Sequence, residues 1–450
     1  MTPAAAKRQG PKNPPIVGHL HAFRSNPLSF LIKAAREHGD LVYFRVARQH
    51  MYLVNHPDYV REILVTNQGN FTKSRALQRA KVLLGEGLLT SEGQHHLRQR
   101  RLAQPAFHRE RLAGYAAAMS ETAVRVRERW QAGSSMDISV EMAQLTLSIV
   151  AKTLFSADVE SEASEIGKAM TAVLQMFQLL VMPFSEYLAK LPLPSVRRFE
   201  KARARLDETI YGLIRERRKS GQDTGDLLSM LLLAQDEEKD GGGMTDKQVR
   251  DEALTLFIAG HETTANALTW TWYLLSQHPE VERRLHREID AVLGGRAPEL
   301  ADYPELRYAE MILSEALRLY PPAWAVGRMA KSGFELGGVE IPAKSICILS
   351  PYLVQRDARW FPDPEKFDPE RWTPEARETR PKFAYYPFGG GARVCIGERF
   401  AWMEGVLVMA AIAQKWRLRL EPGQRVEPHP LITLRVKNGL RMTVEPRAAG

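Results

Sequence analysis

Apolar residues recur at helical spacing over most of this chain, and strict alternation is confined to short stretches towards its two ends. Leu41-Val42-Tyr43-Phe44-Arg45-Val46 and Met51-Tyr52-Leu53-Val54 read as two strands around a polar turn. From Pro57 to about Val436 helical signals dominate, broken by Pro and Gly clusters. The clearest helix starts after Thr245, where Gln248 at the third helical position completes a capping box. It contains no proline before His278-Pro279, so about 30 residues rising ~1.5 Å each predict a helix of about 45 Å. Two late hairpins are expected. Phe334 to Leu336 and Val339 to Ile341 flank Gly337-Gly338, while Leu431 to Val436 and Leu440 to Val444 flank Asn438-Gly439. Residues 1–15, with Pro11-Lys12-Asn13-Pro14-Pro15, read as an extended lead-in. The pattern predicts a mainly α protein with small β-sheets, one large helical domain over residues 1–450 without internal repeats.

Composition narrows this little, being that of an ordinary globular protein. Cysteine is more telling. Cys347 and Cys395 are the two present, which argues against a disulfide framework and for a reducing, cytoplasmic setting. Cys347 lies in the apolar, strand-like Ser345-Ile346-Cys347-Ile348-Leu349 and reads as core. Neither a signal peptide nor a membrane anchor is expected, since no window approaches the ~20 apolar residues a span needs. The net charge of +9 raises nucleic acid as a partner, but no binding motif accompanies it and none is expected. Basic residues concentrate between Gly93 and Arg111, where Arg98, Arg100, Arg101, Arg109 and Arg111 stand with the single acid Glu110. That run is either a solvated helix face or a docking patch for an acidic protein.

The chemistry gathers around Cys395, in Phe388-Gly389-Gly390-Gly391-Ala392-Arg393-Val394-Cys395-Ile396-Gly397. One thiolate on a glycine-rich loop suits iron held from a single side, and the glycines let backbone approach a flat macrocycle. The following helix, expected from Glu398 to Trp416, turns its positive dipole end towards the thiolate. Arg393 offers a fixed cation for a carboxylate such as a haem propionate. The ordinary alternative, a buried structural cysteine, does not require this spacing.

A second motif, Ala259-Gly260-His261-Glu262-Thr263-Thr264, lies inside the long helix. Gly260 costs a helix about 1 kcal/mol against Ala and permits local opening or close approach. Thr263 can bond the carbonyl of Ala259 or offer its hydroxyl to a bound molecule, and Glu262 adds an acid able to relay protons. A zinc reading of His261-Glu262 fails because Ala265 stands where the second histidine is needed. Further on, Glu315 and Arg318 share a helix face in apolar surroundings, and Arg371 is available as another partner.

Together these motifs resemble the cytochrome P450 superfamily of haem-thiolate monooxygenases, over essentially the full chain. The resemblance implies the P450 fold, with haem between the long helix and the cysteine loop. It implies haem b as cofactor, Cys395 as the axial metal ligand, Phe388 beside the sulfur, and Arg393 on a propionate. Arg328 falls where another propionate ligand is often found. Ala259, Gly260, Glu262 and Thr263 match the oxygen-activation groove, with Glu262 and Thr263 as the catalytic pair. Glu315, Arg318 and Arg371 match a structural triad. On the helix over the haem edge, His96 and Arg100 stand where the family commonly has Trp and Arg, a departure that leaves His96 the weaker propionate partner.

The implied reaction inserts one atom of O2 into a C–H or C=C bond of an apolar small molecule and reduces the other to water. The chain ends at Gly450 without a fused reductase, so a separate ferredoxin or flavodoxin-type donor is expected, docking at the arginine run. The apolar stretch from Met170 to Phe184 would roof the substrate pocket by family position, with Ala323-Trp324-Ala325-Val326 as another wall. Lys73, Arg75 and Arg79 read as a solvated loop or as anchors for a substrate carboxylate. A fatty acid, a terpenoid or a steroid-sized lipid fits. A peroxide-dependent enzyme or isomerase would usually lack the intact Glu262-Thr263 pair, and a gas sensor would need a signalling domain.

Overall fold

A computed structural model describes residues 9–156, 194–236 and 242–447. The expected pocket roof, Met170 to Phe184, lies outside the described residues. The chain forms two compact units, Met1–Arg75 with Glu315–Cys395, and Ala76–Ser314 with Ile396–Gly450.

The first unit is built on a five-stranded sheet. Strands β1 (Leu41–Val46) and β2 (Gln49–Val54) form the expected hairpin. Next come β8 (Ile346–Leu349), parallel to β2, then β5 (Val326–Ala330) and β3 (Phe71–Lys73), both antiparallel. β3 and β5 carry too few apolar residues to be visible as strands in the sequence; their pairing with each other makes them so. β8 is buried at every position, which its unbroken apolar run required. β6 (Phe334–Leu336) and β7 (Val339–Ile341) close around Gly337-Gly338 as expected. Helix α1 (Pro27–His38) is started by Asn26, whose side chain accepts from Ser29 N–H, and by Pro27 at its first position.

The second unit is helical. Its main elements are α2 (Gly93–Ala103), α3 (Arg109–Arg129), α4 (Ile138–Phe155), α5 (Pro194–Ser220), α6 (Leu227–Leu233), α7 (Asp246–Gln277) and α8 (Pro279–Leu293). Helix α9 (Arg307–Leu319) carries the chain back to the first unit, and α10 (Glu398–Ala413) follows the cysteine loop. α7 starts with the reciprocal Thr245–Gln248 capping box and stops at His278-Pro279, as expected. It is buried almost throughout, polar residues such as Glu252, Glu262 and Asn266 included, and α10 is buried from Met403 to Ala413, where it is apolar on nearly every face. No helix among the described residues is long and apolar enough to cross a membrane.

Two expectations need correction. α10 ends at Ala413, because Trp416 opens strand β9 (Trp416–Leu420). The Asn438-Gly439 turn exists, both residues having positive φ, but it does not close a hairpin. Instead β12 (Arg441–Pro446) pairs with β9 and with β4 (Ser135–Asp137), while β11 (Leu434–Val436) pairs with β10 (Pro428–Pro430). The Asp137 carboxylate accepts from Leu440 N–H at 3.0 Å and fixes the strand on that side. A two-residue turn sets only local geometry. Strands with partners on both edges gain more than one lone hairpin can offer.

Candidate active site

Within the first unit the thiol loop is a closed turn that only glycine can make. Cys395 N–H donates to the Phe388 carbonyl at 3.0 Å, and Val394 N–H to that of Gly391 at 3.1 Å. Gly389 and Gly391 have φ of +76° and +68°. A β-carbon on Gly391 would lie 1.8 Å from the Leu64 carbonyl oxygen, and one on Gly390 would lie 2.6 Å from the Phe383 ring. Gln68 Oε1 accepts from Ala392 N–H at 2.8 Å, pinning the loop against the segment after β2. The two cysteines are opposites. Cys347 is sealed in β8, its thiol pushed up to about 12 by burial, whereas Cys395 is exposed.

Arg393 and Arg328 line one small cavity with Leu64, Phe71 and Gly390. Arg328 stands directly across the sheet from Lys73, which is buried in β3. The solvated-loop reading is therefore wrong for Lys73, because pairing with β5 draws it into the sheet. Arg75 is exposed and Arg79 half-buried. Trp324 is buried, its carbonyl accepting from Ser350 Oγ at 2.7 Å. Nearby, Glu315 and Arg318 are fully buried and joined by two hydrogen bonds of 2.8 Å. Arg371 Nε stands 3.4 Å from Glu315 Oε1, and Trp372 Nε1–H donates to Oε2 at 2.9 Å. Arg318 also donates to the carbonyls of Gln355, Pro364 and Lys366, so this pair has the extra partners a buried ion pair needs.

Within the second unit, α7 is buried around its waist except at one stripe. Ala259 is exposed, and Gly260 and Thr263 are half-exposed, while His261, Glu262 and Thr264 are buried. Thr263 Oγ1 donates to the Ala259 carbonyl at 2.7 Å. The helix stays continuous here, so Gly260 opens no break. Its hydrogen instead lets α4 come close, since a β-carbon would meet Val150 Cγ2 at 3.3 Å. Glu262 is gripped from β11 by Arg435 and from the residue before that strand by Thr433. His261 is held below its usual value chiefly by desolvation.

On α2, His96 and Arg100 lie one turn apart, His96 buried with Nδ1 3.1 Å from Ser91 Oγ. Gln99 between them donates to buried Glu252 at 3.2 Å, and Leu88 N–H donates to the other oxygen of Glu252 at 3.0 Å, so α2 is tied to α7. The arginine run is not a bare face. Arg98 and Arg101 both grip Asp236, whose side chain is fully buried, and Arg111 pairs with Asp223. Sequence reading missed Asp236, Glu252, Thr433 and Arg435 because each acts through a partner remote in sequence.

An exposed thiol on a glycine cradle, with two guanidiniums lining a cavity of the same unit, fits haem, a flat macrocycle with two carboxylates and an iron that accepts sulfur. Residues 9–440 match the family described as cytochrome P450. The chain belongs to that family. Among relatives, this P450 is 43% identical over 435 residues to cyclooctatin synthase of Streptomyces melanosporofaciens, covering 96% of this chain and 94% of that one. It is 40% identical to cyclooctat-9-en-7-ol 5-monooxygenase of the same organism, over 92% of this chain and 90% of that protein. Pentalenene oxygenase of Streptomyces avermitilis is 38% identical, with 97% and 96% covered. The protein is thus a P450 monooxygenase with a haem iron cofactor, inserting one atom of O2 into an apolar small molecule.

Proposed function

We propose that this P450 oxidises a cyclic terpenoid. Two relatives carry names of cyclic alkenes, an alkenol and pentalenene, which favours this class over the fatty acid and steroid alternatives. The observation that carries the reading is the exposed stripe Ala259, Gly260 and Thr263 on an otherwise buried helix, apolar but for one hydroxyl.

Haem b, when bound, supplies oxygen activation driven by thiolate donation. Cys395, held in its turn by the Phe388 carbonyl, would supply the thiolate for its iron, and Arg393, Arg328, Arg100 and His96 would hold its propionates. Ala259 and Gly260, on the exposed stripe of α7, would leave room for it. Thr263 holds its hydroxyl proton on the Ala259 carbonyl and can redirect it, while Glu262 passes protons inwards from solvent. Electrons come from a redox partner, for which a ferredoxin or flavodoxin type suits a chain of net charge +9. Two cysteines that form no disulfide support a cytoplasmic setting, and the family match over residues 9–440 supports one catalytic domain.

The test is a reduced carbon monoxide spectrum with a binding panel of cyclic sesquiterpene and diterpene hydrocarbons, a long-chain fatty acid and a steroid. A strongly red-shifted Soret band that Cys395→Ala abolishes, with spin-state change from the cyclic hydrocarbons alone, is expected. Response to the fatty acid or steroid alone would overturn the substrate class.

A further inference from the structure

We infer that Thr433 and Arg435 are positioning residues that anchor Glu262 through one carboxylate oxygen and leave the other to exchange protons. The inference rests on the reading that Glu262 carries protons. Thr433 Oγ1 donates to Glu262 Oε1 at 2.6 Å, and Arg435 Nε donates to the same atom at 2.7 Å. The second guanidinium nitrogen of Arg435 also lies 2.6 Å from Oε1. Among the described residues, every hydrogen bond to this carboxylate converges on Oε1.

The Thr433 hydroxyl is itself aligned. It accepts from Asn266 Nδ2 at 3.1 Å, so its single proton is directed at Glu262. One turn further on, Trp270 Nε1–H donates to the Leu434 carbonyl at 2.9 Å. Glu262, Asn266 and Trp270 recur every fourth residue on α7, and the chain from Thr433 to Arg435 is bonded along that stripe. The anchor is therefore rigid on both sides, held by helix and strand.

Such one-sided anchoring has a chemical use. An oxygen that accepts two hydrogen bonds, one of them from a guanidinium, has its lone pairs committed and is poor at accepting another proton. Oε2 shares the charge but not those bonds, so protons enter and leave there. A buried acid without the anchor would rotate and present either oxygen, and delivery would lose its direction.

Oxygen consumption by the holoenzyme with a turned-over substrate is partitioned between product and hydrogen peroxide, and the solvent deuterium isotope effect is recorded. Glu262→Gln tests the underlying reading, while Arg435→Met and the near-isosteric Thr433→Val test the anchor. A severalfold rise in peroxide is expected for both anchor variants, with Arg435→Lys restoring much of the coupling and neither adding to Glu262→Gln. Independently of turnover, unfolding of the Glu262→Gln, Arg435→Met and double variants should show non-additive stability. Wild-type coupling in Arg435→Met and Thr433→Val, with coupling lost in Glu262→Gln, would overturn the anchor and spare the reading. Unchanged coupling in Glu262→Gln would remove both. Additive effects would assign Arg435 a separate role and reject the inference.

Discussion

Arg318 meets Glu315 through two parallel hydrogen bonds of 2.8 Å with neither side chain exposed to solvent. Removing either partner strands a charge in the protein interior. Glu315→Ala is expected to cost about 3–5 kcal/mol in urea unfolding, or to prevent folding. Arg318→Lys alone is expected to be destabilising as well, because one ammonium cannot reach the carboxylate and three backbone carbonyls together.

The glycines of the thiol loop differ in what they tolerate. Gly389→Ala meets nothing within 4 Å, so its penalty is that of a left-handed residue, about 1–2 kcal/mol. Gly391→Ala adds a collision with the Leu64 carbonyl. The expected outcome is near-normal haem content for Gly389→Ala and severe haem loss for Gly391→Ala, with helical circular dichroism retained in both.

Glu404 is fully buried in α10, and desolvation pushes its carboxyl up to about 8 from the ordinary 4.5, with Thr264 weakly opposing. Between those values the folded protein holds a proton that the unfolded chain has lost, so this group makes stability fall as pH rises from 4.5 to 8. Above that window its effect is constant. Glu404→Gln should therefore stabilise the protein by a margin that grows with pH and disappears near the lower limit. Urea midpoints of both proteins across the range check the sign.

Asp236 holds Arg98 and Arg101 against the chain just ahead of α7. Replacing both arginines by alanine is expected to destabilise the fold by about 3 kcal/mol, since it leaves a buried carboxylate without cations. Adding Asp236→Asn should recover much of that loss in thermal melts. A stability loss of this kind must be subtracted before any slower electron transfer in such variants is credited to partner docking.

Much of the fold is legible in the sequence. The capping box of α7, its stop at His278-Pro279 and the Gly337-Gly338 hairpin depend on neighbours in sequence, and they form as read. The thiol loop was equally clear, because its glycines answer a backbone demand within ten residues. The Asn438-Gly439 hairpin was not, since its strands found other partners. Lys73 was misplaced for the same reason: a strand of three residues exists only where a sheet accepts it.

By itself the sequence determined the local chemistry: which cysteine sits on a glycine cradle, where the long helix begins, and that Thr263 can reach the Ala259 carbonyl. Those are matters of spacing along one segment, governed by backbone sterics and the helical repeat. The tertiary structure alone decided who neutralises whom. Asp236 with its two arginines, Glu252 with Gln99, and Glu262 with Thr433 and Arg435 join residues that are far apart in the chain. A buried charge must find a partner but does not specify which one, so that choice waits until packing has brought the candidates together.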